Sequence, residues 1–397
     1  MRNLFKKEDK KNNIYKAIKY RIYPNEEQIK QIAQTFGCTR KVYNIALELQ
    51  QGLYAAEMKT MTATDLNNYC NRFLKKDYTY LEEVDKFSIT NSLIDLTTAF
   101  KNFFEGNCGY PKFKSKKDSH KSYSTNMTNN NIAINKSAVK LPKLGWVAAK
   151  IHRQPFADGK IKSATISQNA CGNYFVSILF ELPEIEFQVI PTIEKTLGLD
   201  YSSPHFYVAS DKTIANAPHW YRQTEKHLAK EQRKLSHMVK GSNNYEEQKR
   251  RIAKLYELVA NQRRDFCHKL SREIANSYDV VCVEDINLQT MAQALRFGKA
   301  TNDNGFGMFR NFLKYKLEEQ GKFYVVIDKW YPSSKTCHHC GTINTSLKLG
   351  ESVWVCEHCH NIIDRDYNAS LNIRDEGFRQ LKEYLHSLSL VEAVVTT

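Results

Sequence analysis

The sequence predicts an α/β domain preceded by a β-rich domain that carries a helical insertion, and three observations support that class. From about residue 193 onward, strand-like apolar runs alternate with long helical patterns, as in an α/β layer. Between about residues 123 and 182, short alternating segments are separated by Asn, Gly and Pro, as in an antiparallel β domain. Between about residues 26 and 104, apolar positions instead recur every three or four residues.

Taken in order, residues 14–25 (IYKAIKYRIYPN) alternate like a strand and stop at Pro24-Asn25. Ile29, Ile32, Ala33 and Phe36 then mark a helical face that Val42, Ile45, Ala46 and Leu49 continue. A further helix, SITNSLIDLTTAFKNFF, starts at Ser88, and GNCGYPKFKSKKDSHKS breaks the periodicity. The segments IAI, AVKL, WVAAKI, KSATIS and NYFVSILFEL read as strands that join the first strand in a small β-barrel. Residues 184–194 read as a linker.

Beyond the linker come the strands KTLGLDYSS and FYVAS, charged helices over about 221–277, and the strand DVVCVEDI. A helix over 306–320 follows, with Phe306, Phe309, Leu313 and Leu317 as its core face, and then the strand KFYVVIDKW. DYNASLNI opens a short helix. The expected segments are a tail and first strand (1–25), a helical domain (26–122), a β-barrel domain (123–192) and the first part of the α/β domain (193–330). A cysteine-bearing insert (331–360), the last α/β part (361–380) and a C-terminal tail (381–397) complete the chain.

The chain has 397 residues, enough for more than one core, and a formal charge of +15 spread along its length. That excess points to a polyanionic partner, because phosphate neutralisation grows with the number of contacts. No apolar run is long enough to span a membrane, and the charged start lacks the apolar core of a secretory leader. Six of the ten cysteines are scattered singly, which excludes a disulfide framework and fits a reduced, cytoplasmic setting.

The other four form two pairs, Cys337-x-x-Cys340 and Cys356-x-x-Cys359, fifteen residues apart, which is zinc-ribbon spacing. Four thiolates close a tetrahedral Zn²⁺ site with no open position, so the ion is structural. His338, His339, His358 and His360 are substitute ligands that do not improve on the four cysteines.

Three acidic residues fall where an α/β sheet exposes groups: Asp200 ends LGLD, Glu284 ends VVCVE, and Asp366 follows the cysteines. Each alone is more often a cap or turn residue. Together, flanked by apolar strands, their repulsion calls for cations. Hard oxygen ligands suit Mg²⁺, and two such ions about 3.5–4 Å apart form the clamp for phosphodiester cleavage. Asp364 competes with Asp366 but suits a helix cap. Asp285 competes with Glu284 but should face the opposite way along a strand.

On the basic helices, Arg250-Arg251 and Arg263-Arg264 lack obvious acidic partners and are candidates for nucleic-acid contact. Tyr221, Tyr245 and Tyr256 are explained equally by stacking on bases or by packing.

LGLDYSSPHFYVASD, VCVEDINLQTMAQAL, FGMFRNFLKYKLEEQGK, DKWYPSSKTCHHCG and DRDYNASLNI, with AIKYRIYPNEEQ, FGCTRKVYN and LPKLGWVAAKIHR before them, together resemble the TnpB family. These are transposon-encoded RNA-guided nucleases related to compact type V CRISPR effectors. The resemblance implies an α/β RNase H-like (RuvC-type) nuclease domain with an inserted zinc ribbon, and a β-barrel wedge domain with an inserted α-helical recognition domain. It implies that Asp200, Glu284 and Asp366 are catalytic Mg²⁺ ligands, and that the partners are a guide RNA and double-stranded DNA. It places readers of the target-adjacent motif at Ser122, Tyr123, Ser124, Thr125 and Asn126. Many relatives have glycine where this chain has Ser202.

The expected function is therefore RNA-guided, Mg²⁺-dependent DNA cleavage by a prokaryotic, monomeric protein, in which guide pairing reads the sequence. A non-cleaving RNA-guided DNA-binding protein uses the same surfaces, but the intact acids argue for cleavage. A strand-transferring transposase is disfavoured because no DNA-binding domain is recognisable at the front. A plain zinc-ribbon module leaves the strand-end acids unexplained.

Overall fold

The computed structural model describes residues 14–118, 120–183, 189–202, 205–286, 305–348 and 350–387, which fall into two compact units, one up to residue 183 and one from residue 189. The N-terminal tail (1–13), the first part of the expected linker (184–188) and the last ten residues (388–397) lie outside the described residues.

In the first unit, β1 (Ile14–Tyr23) leads into α1 (Glu26–Ala55) through a capping box. The Asn25 side chain accepts from Gln28 N at 2.8 Å, and the Gln28 side chain accepts from Asn25 N at 3.0 Å. The longer helices that follow are α2 (Ala63–Tyr69) and α3 (Lys86–Phe104), with short helical turns between them over residues 70–82. Then come β2 (Lys121–Asn126), β3 (Ala133–Ile134), β4 (Ala138–Leu141), β5 (Gly145–Lys150), β6 (Lys160–Gln168) and β7 (Tyr174–Leu182).

The seven strands form one antiparallel sheet in the order β2-β6-β7-β1-β5-β4-β3. The first strand does join the later ones, between β7 and β5. A closed barrel does not form among the described residues: the end strands β2 and β3 share no ladder. Ile18, Tyr20 and Ile22 of β1 enter one core with Ile166, Val176, Ile178 and Phe180, and Ile32 and Phe36 of α1 cover it. Ile29, expected on that face, is exposed. Val42, Ala46 and Leu47 continue α1 into a second core with Leu66, Leu93 and Leu96. The helical and β parts are thus one compact unit, and β2 begins at Lys121, two residues before the expected boundary.

The second unit contains β8 (Thr196–Asp200), β9 (Tyr207–Ala209), β10 (Ile214–Ala215), α4 (Trp220–Ser236), α5 (Asn243–Ser277) and β11 (Val280–Glu284). These are followed by α6 (Phe306–Glu318), β12 (Phe323–Ile327), the hairpin β13 (Val353–Val355) and β14 (Ile362–Asp364), and α7 (Arg365–Ser387). The main sheet runs β10-β9-β8-β11-β12, with β8, β11 and β12 parallel and β9 and β10 antiparallel to their neighbours. Among the described residues no helix is long and apolar enough to cross a membrane.

The two faces of this sheet take different helices. Leu197, Leu199, Val281 and Val283 pack on the side of α5 and α6, with Cys267, Ile274, Phe309 and Leu313. Val280, Cys282, Val325 and Ile327 pack on the side of α7, with Ile373 and Leu381. The helix opened by DYNASLNI runs 23 residues rather than a short turn, so the expected tail boundary at 381 falls inside it. Leu381 is fully buried, which is why the helix cannot end sooner. The hairpin also extends past residue 360: Val353 pairs with Asp364 and Val355 with Ile362, so the cysteine-bearing insert ends where α7 begins.

Candidate active site and metal centre

Side-chain parity along the strands brings the acids together. Successive strand residues face opposite sides, so Gly198 and Asp200 face away from Leu197 and Leu199, and Cys282 and Glu284 face away from Val281 and Val283. Both carboxylates therefore point to the side that α7 covers. The pairing of Val283 with Leu199 puts Glu284 and Asp200 level at the carboxyl ends of their parallel strands. α7 supplies Asp366 from its first turn. Asp285 is exposed, as the alternation required, and Asp364 caps α7 by accepting from Tyr367 N at 2.9 Å.

Two glycines let α7 lie this close. A Cβ on Gly198 would stand 2.1 Å from Ser370 O and 2.7 Å from Arg374 N, and one on Gly377 would stand 2.4 Å from Cys282 Sγ. The strand yields space at one point and the helix at the other. Sequence reasoning passed over both; the signal was a small residue two places before the acid in LGLD.

Asp200 is only 8% exposed. Burial pushes its carboxyl well above the usual carboxylate range, Asp366 and Glu284 push it further, and Arg365 acts the other way. Glu284 is pushed up to about 7, by burial first and Asp285 second. Asp366 Oδ1 accepts from Arg365 Nε at 3.0 Å and Nη2 at 2.9 Å, while its Oδ2 accepts from Ser202 Oγ at 3.3 Å. Three crowded carboxylates set against this one guanidinium leave excess negative charge, and an all-oxygen donor set of that kind suits Mg²⁺. Arg365 also donates to Glu351 O at 3.1 Å, and its backbone N donates to Ser352 O at 2.9 Å, which ties the site to the ribbon hairpin.

The four cysteines converge. All their sulfurs lie within 4.8 Å of one another, and Cys337 and Cys340 each approach a sulfur of the second pair, Cys359 and Cys356, at 3.6 Å. A tetrahedral Zn²⁺ about 2.3 Å from each sulfur would space them by roughly 3.8 Å, so the residues fit the ion. Among the described residues this is the only group of three or more His, Cys, Asp or Glu drawn so tightly. Each pair turns through a left-handed residue, Gly341 at φ 77° and His360 at φ 57°. Gly341 N donates to Cys337 O and His360 N to Cys356 O. His360 thus shapes the second knuckle.

Asn368 and Asn372, one turn apart on α7, clamp the chain entering the first knuckle. Their Nδ2 atoms both donate to Thr336 O at 2.7 Å, Asn372 also donates to Ser333 O at 2.8 Å, and Asn368 Oδ1 accepts from His338 N at 2.9 Å. Both are buried. The helix that carries Asp366 and the loop that carries Cys337 are therefore one joint, a contact missed in the sequence although NASLN holds the two asparagines at i,i+4.

The expected nucleic-acid residues divide. In β2, Tyr123 and Thr125 point into the core, where Tyr123 meets Phe36 edge-on at 5.7 Å, so neither side chain reads DNA from this position. Ser122, Ser124 and Asn126 lie on the other face, and Asn91 Nδ2 donates to Ser124 O and to Asn126 Oδ1. On α5, Arg250, Arg251 and Arg264 are exposed and Arg263 is half-buried. Arg251 does have an acidic partner, Glu247 at 2.7 Å, one helical turn away. Tyr256 accepts from Gln232 Nε2 at 3.0 Å, which joins α5 to α4.

A family profile described as a probable transposase, OrfB of IS605, matches residues 177–295. A Cas12f1-like TNB domain profile matches 306–373, and a helix-turn-helix profile matches 13–59. The described part of that last stretch is strand β1 and the single helix α1, not two helices about a turn. A Streptomyces pristinaespiralis protein named "Putative RNA-guided DNA endonuclease" is 31% identical over 371 residues, 92% of this chain and 90% of the relative. InsQ of Escherichia coli (strain K12), which bears the same designation, is 27% identical over 379 residues, 91% and 92% of the two chains. A solved Cas12f1–sgRNA–target DNA complex shares the fold, with TM-score 0.58 over 92% of this chain and 99% of that one, at 15% identity. Identity at this level along nine-tenths of both chains establishes the lineage that the strand-end acids and paired cysteines resemble: the chain belongs to the TnpB family.

Proposed function

We propose that the chain is an RNA-guided, Mg²⁺-dependent DNA endonuclease. It cleaves target DNA next to a short adjacent motif through one RNase H-like (RuvC-type) site made of Asp200, Glu284 and Asp366. The observation that carries the reading is the convergence of the two strand-end carboxylates on the face covered by α7, with Asp366 in the first turn of that helix and Asp200 buried between the others' charges. The relatives' names add the RNA guide and the DNA substrate.

Two Mg²⁺ ions, when bound, supply an activated water and stabilise the leaving 3′ oxygen. The chain's own residues do the rest. Asp200, the most buried of the three acids, would hold the ions together with Glu284 and Asp366. Arg365 and Ser202 hold one oxygen each of Asp366. Gly198 and Gly377 seat α7, and the ribbon, with Zn²⁺ on Cys337, Cys340, Cys356 and Cys359, anchors its start. Guide RNA and DNA engage the basic surface, including Arg250 and Arg264, and Ser122, Ser124 and Asn126 are the candidate readers of the adjacent motif. We assign the protein to the prokaryotic cytoplasm, acting as a monomer.

The test is to purify the protein from cells carrying its native locus, sequence the RNA that accompanies it, and assay cleavage of a matching target with Mg²⁺. A discrete RNA and cleavage that Asp200→Ala abolishes are expected. Random RNA, or cleavage that survives Asp200→Ala, would overturn the assignment.

A further inference from the structure

We infer that Trp330 is a platform on which a base of the DNA strand stacks as that strand enters the acidic site; the inference rests on the nuclease reading above. Trp330 is 80% exposed, the most exposed large apolar side chain among the described residues. Its place is set by the sheet. β12 runs parallel to β11 with Ile327 level with Glu284, and Asp285 N donates to Ile327 O at 3.1 Å. Trp330 follows three residues later, so its backbone lies within about 11 Å of chain from the strand end beside Glu284.

The exposure is not that of a loose loop. Asp328 Oδ1 accepts from Trp330 N at 2.7 Å, and Tyr331 N donates to Asp328 O at 3.1 Å. Tyr331 packs into the core under α7, and Ser333 O is held by Asn372. Both sides of Trp330 are anchored while its indole is left in water, so the ring is held in place with a face free for a partner. Lys329 Nζ lies over the ring, 5.0 Å from its centroid. A flat π-face takes any base, and an ammonium beside it takes the adjoining phosphate, which is the chemistry of sequence-tolerant single-strand binding. A duplex offers no such base face, so the ligand is an unpaired strand.

The test uses the full-length protein in an Asp200→Ala background, so that DNA is bound but not cut, with fluorescein-labelled oligothymidylate as the probe. Trp330→Ala is expected to weaken binding about five- to 150-fold, the range for loss of one stacked base, and Trp330→Phe to retain most of it. Unlabelled oligothymidylate is expected to quench indole fluorescence in the parent and far less in Trp330→Phe, whose fold is least disturbed. Equal affinity for Trp330→Ala, or equal quenching in Trp330→Phe, would overturn the stacking role alone. A parent protein that does not bind the probe at all would overturn the nuclease reading along with it.

Discussion

Ser202 donates its hydroxyl to Asp366 Oδ2 at 3.3 Å, joining residues 164 positions apart in the chain. Ser202 is buried. The hydroxyl holds the carboxylate oxygen that Arg365 does not, so Ser202 is a positioning group for Asp366. A bond to a charged acceptor contributes about 1.5–3 kcal/mol at good geometry, and less at this length. Ser202→Ala should slow cleavage by roughly fivefold and raise the Mg²⁺ concentration needed for half-maximal rate, while Ser202→Thr retains more of both. An unchanged Mg²⁺ requirement in Ser202→Ala would show the contact to be incidental.

The carboxylate of Asp200 is buried beside two other acids, an arrangement that costs stability. Asp200→Asn keeps the shape and removes the charge. In metal-free protein it should raise Tm by several degrees, since about 1 kcal/mol moves a unit of this size by roughly 2–4 °C. Cleavage should fall by at least about a thousandfold, the scale on which loss of an essential group acts. Mg²⁺ should raise Tm in the parent and not in the variant, because only the parent gains from ligand binding. Calorimetry with and without Mg²⁺ checks the two Tm expectations, and a cleavage assay checks the loss of rate.

Much of this was legible in the sequence because the determining patterns are local. LGLD and VVCVE show their apolar strands and terminal acids directly, and two Cys-x-x-Cys pairs at ribbon spacing need no tertiary information. The illegible parts are those decided across the fold. Tyr123 and Thr125 stand among the expected readers by resemblance alone, which carries no register, and pairing of β2 with β6 turns these alternate side chains inward. The length of α7 was missed because its second half reads as charged, and only the packing of Leu381 and Leu385 against the sheet shows why it continues. Closure of the β-rich part into a barrel was inferred from strand order, which carries no information about the end strands.

Gly198→Ala tests whether α7 needs contact with β8. A methyl group 2.1 Å from Ser370 O has nowhere to go, because the atom it meets is backbone. The helix must lift away, and Asp366 with it. We expect cleavage to fall more than a hundredfold with all three acids intact, and Tm to drop by an amount matching several kcal/mol, the cost of overpacking a rigid contact. A soluble, fully active Gly198→Ala protein would show that α7 has slack.

Lys316 gives the second unit an alkaline signature. The side chain is buried, donating to His268 O at 2.6 Å and Ser271 Oγ at 2.7 Å. Burial first, and the charge of Arg272 next, lower its pKa from 10.5 to about 8. The folded chain therefore holds this proton less tightly than the unfolded chain does. The contribution is fully present above about pH 10.5 and is lost as pH falls to about 8, an effect on the order of 3 kcal/mol. Lys316→Met should flatten the stability profile in that window, as measured by urea unfolding at a series of pH values.

Cys337→Ser and Asn372→Ala attack the joint between the cysteine ribbon and α7 from opposite sides. The ribbon's own core is little more than Trp354, Ile363 and the cysteines, so without its ion it has almost nothing to fold around. Cys337→Ser should lose its zinc by metal analysis, lower Tm and reduce cleavage, because the anchored start of α7 carries Asp366. Asn372→Ala should keep its zinc and still lose about 2–3 kcal/mol, since the Ser333 and Thr336 carbonyls each lose a buried donor. If the two substitutions break one joint, the double variant should cost less than the sum of the singles. Strict additivity would mean that the ribbon and α7 are stabilised independently, and full activity in a zinc-free Cys337→Ser protein would remove the ribbon from the account of how Asp366 is placed.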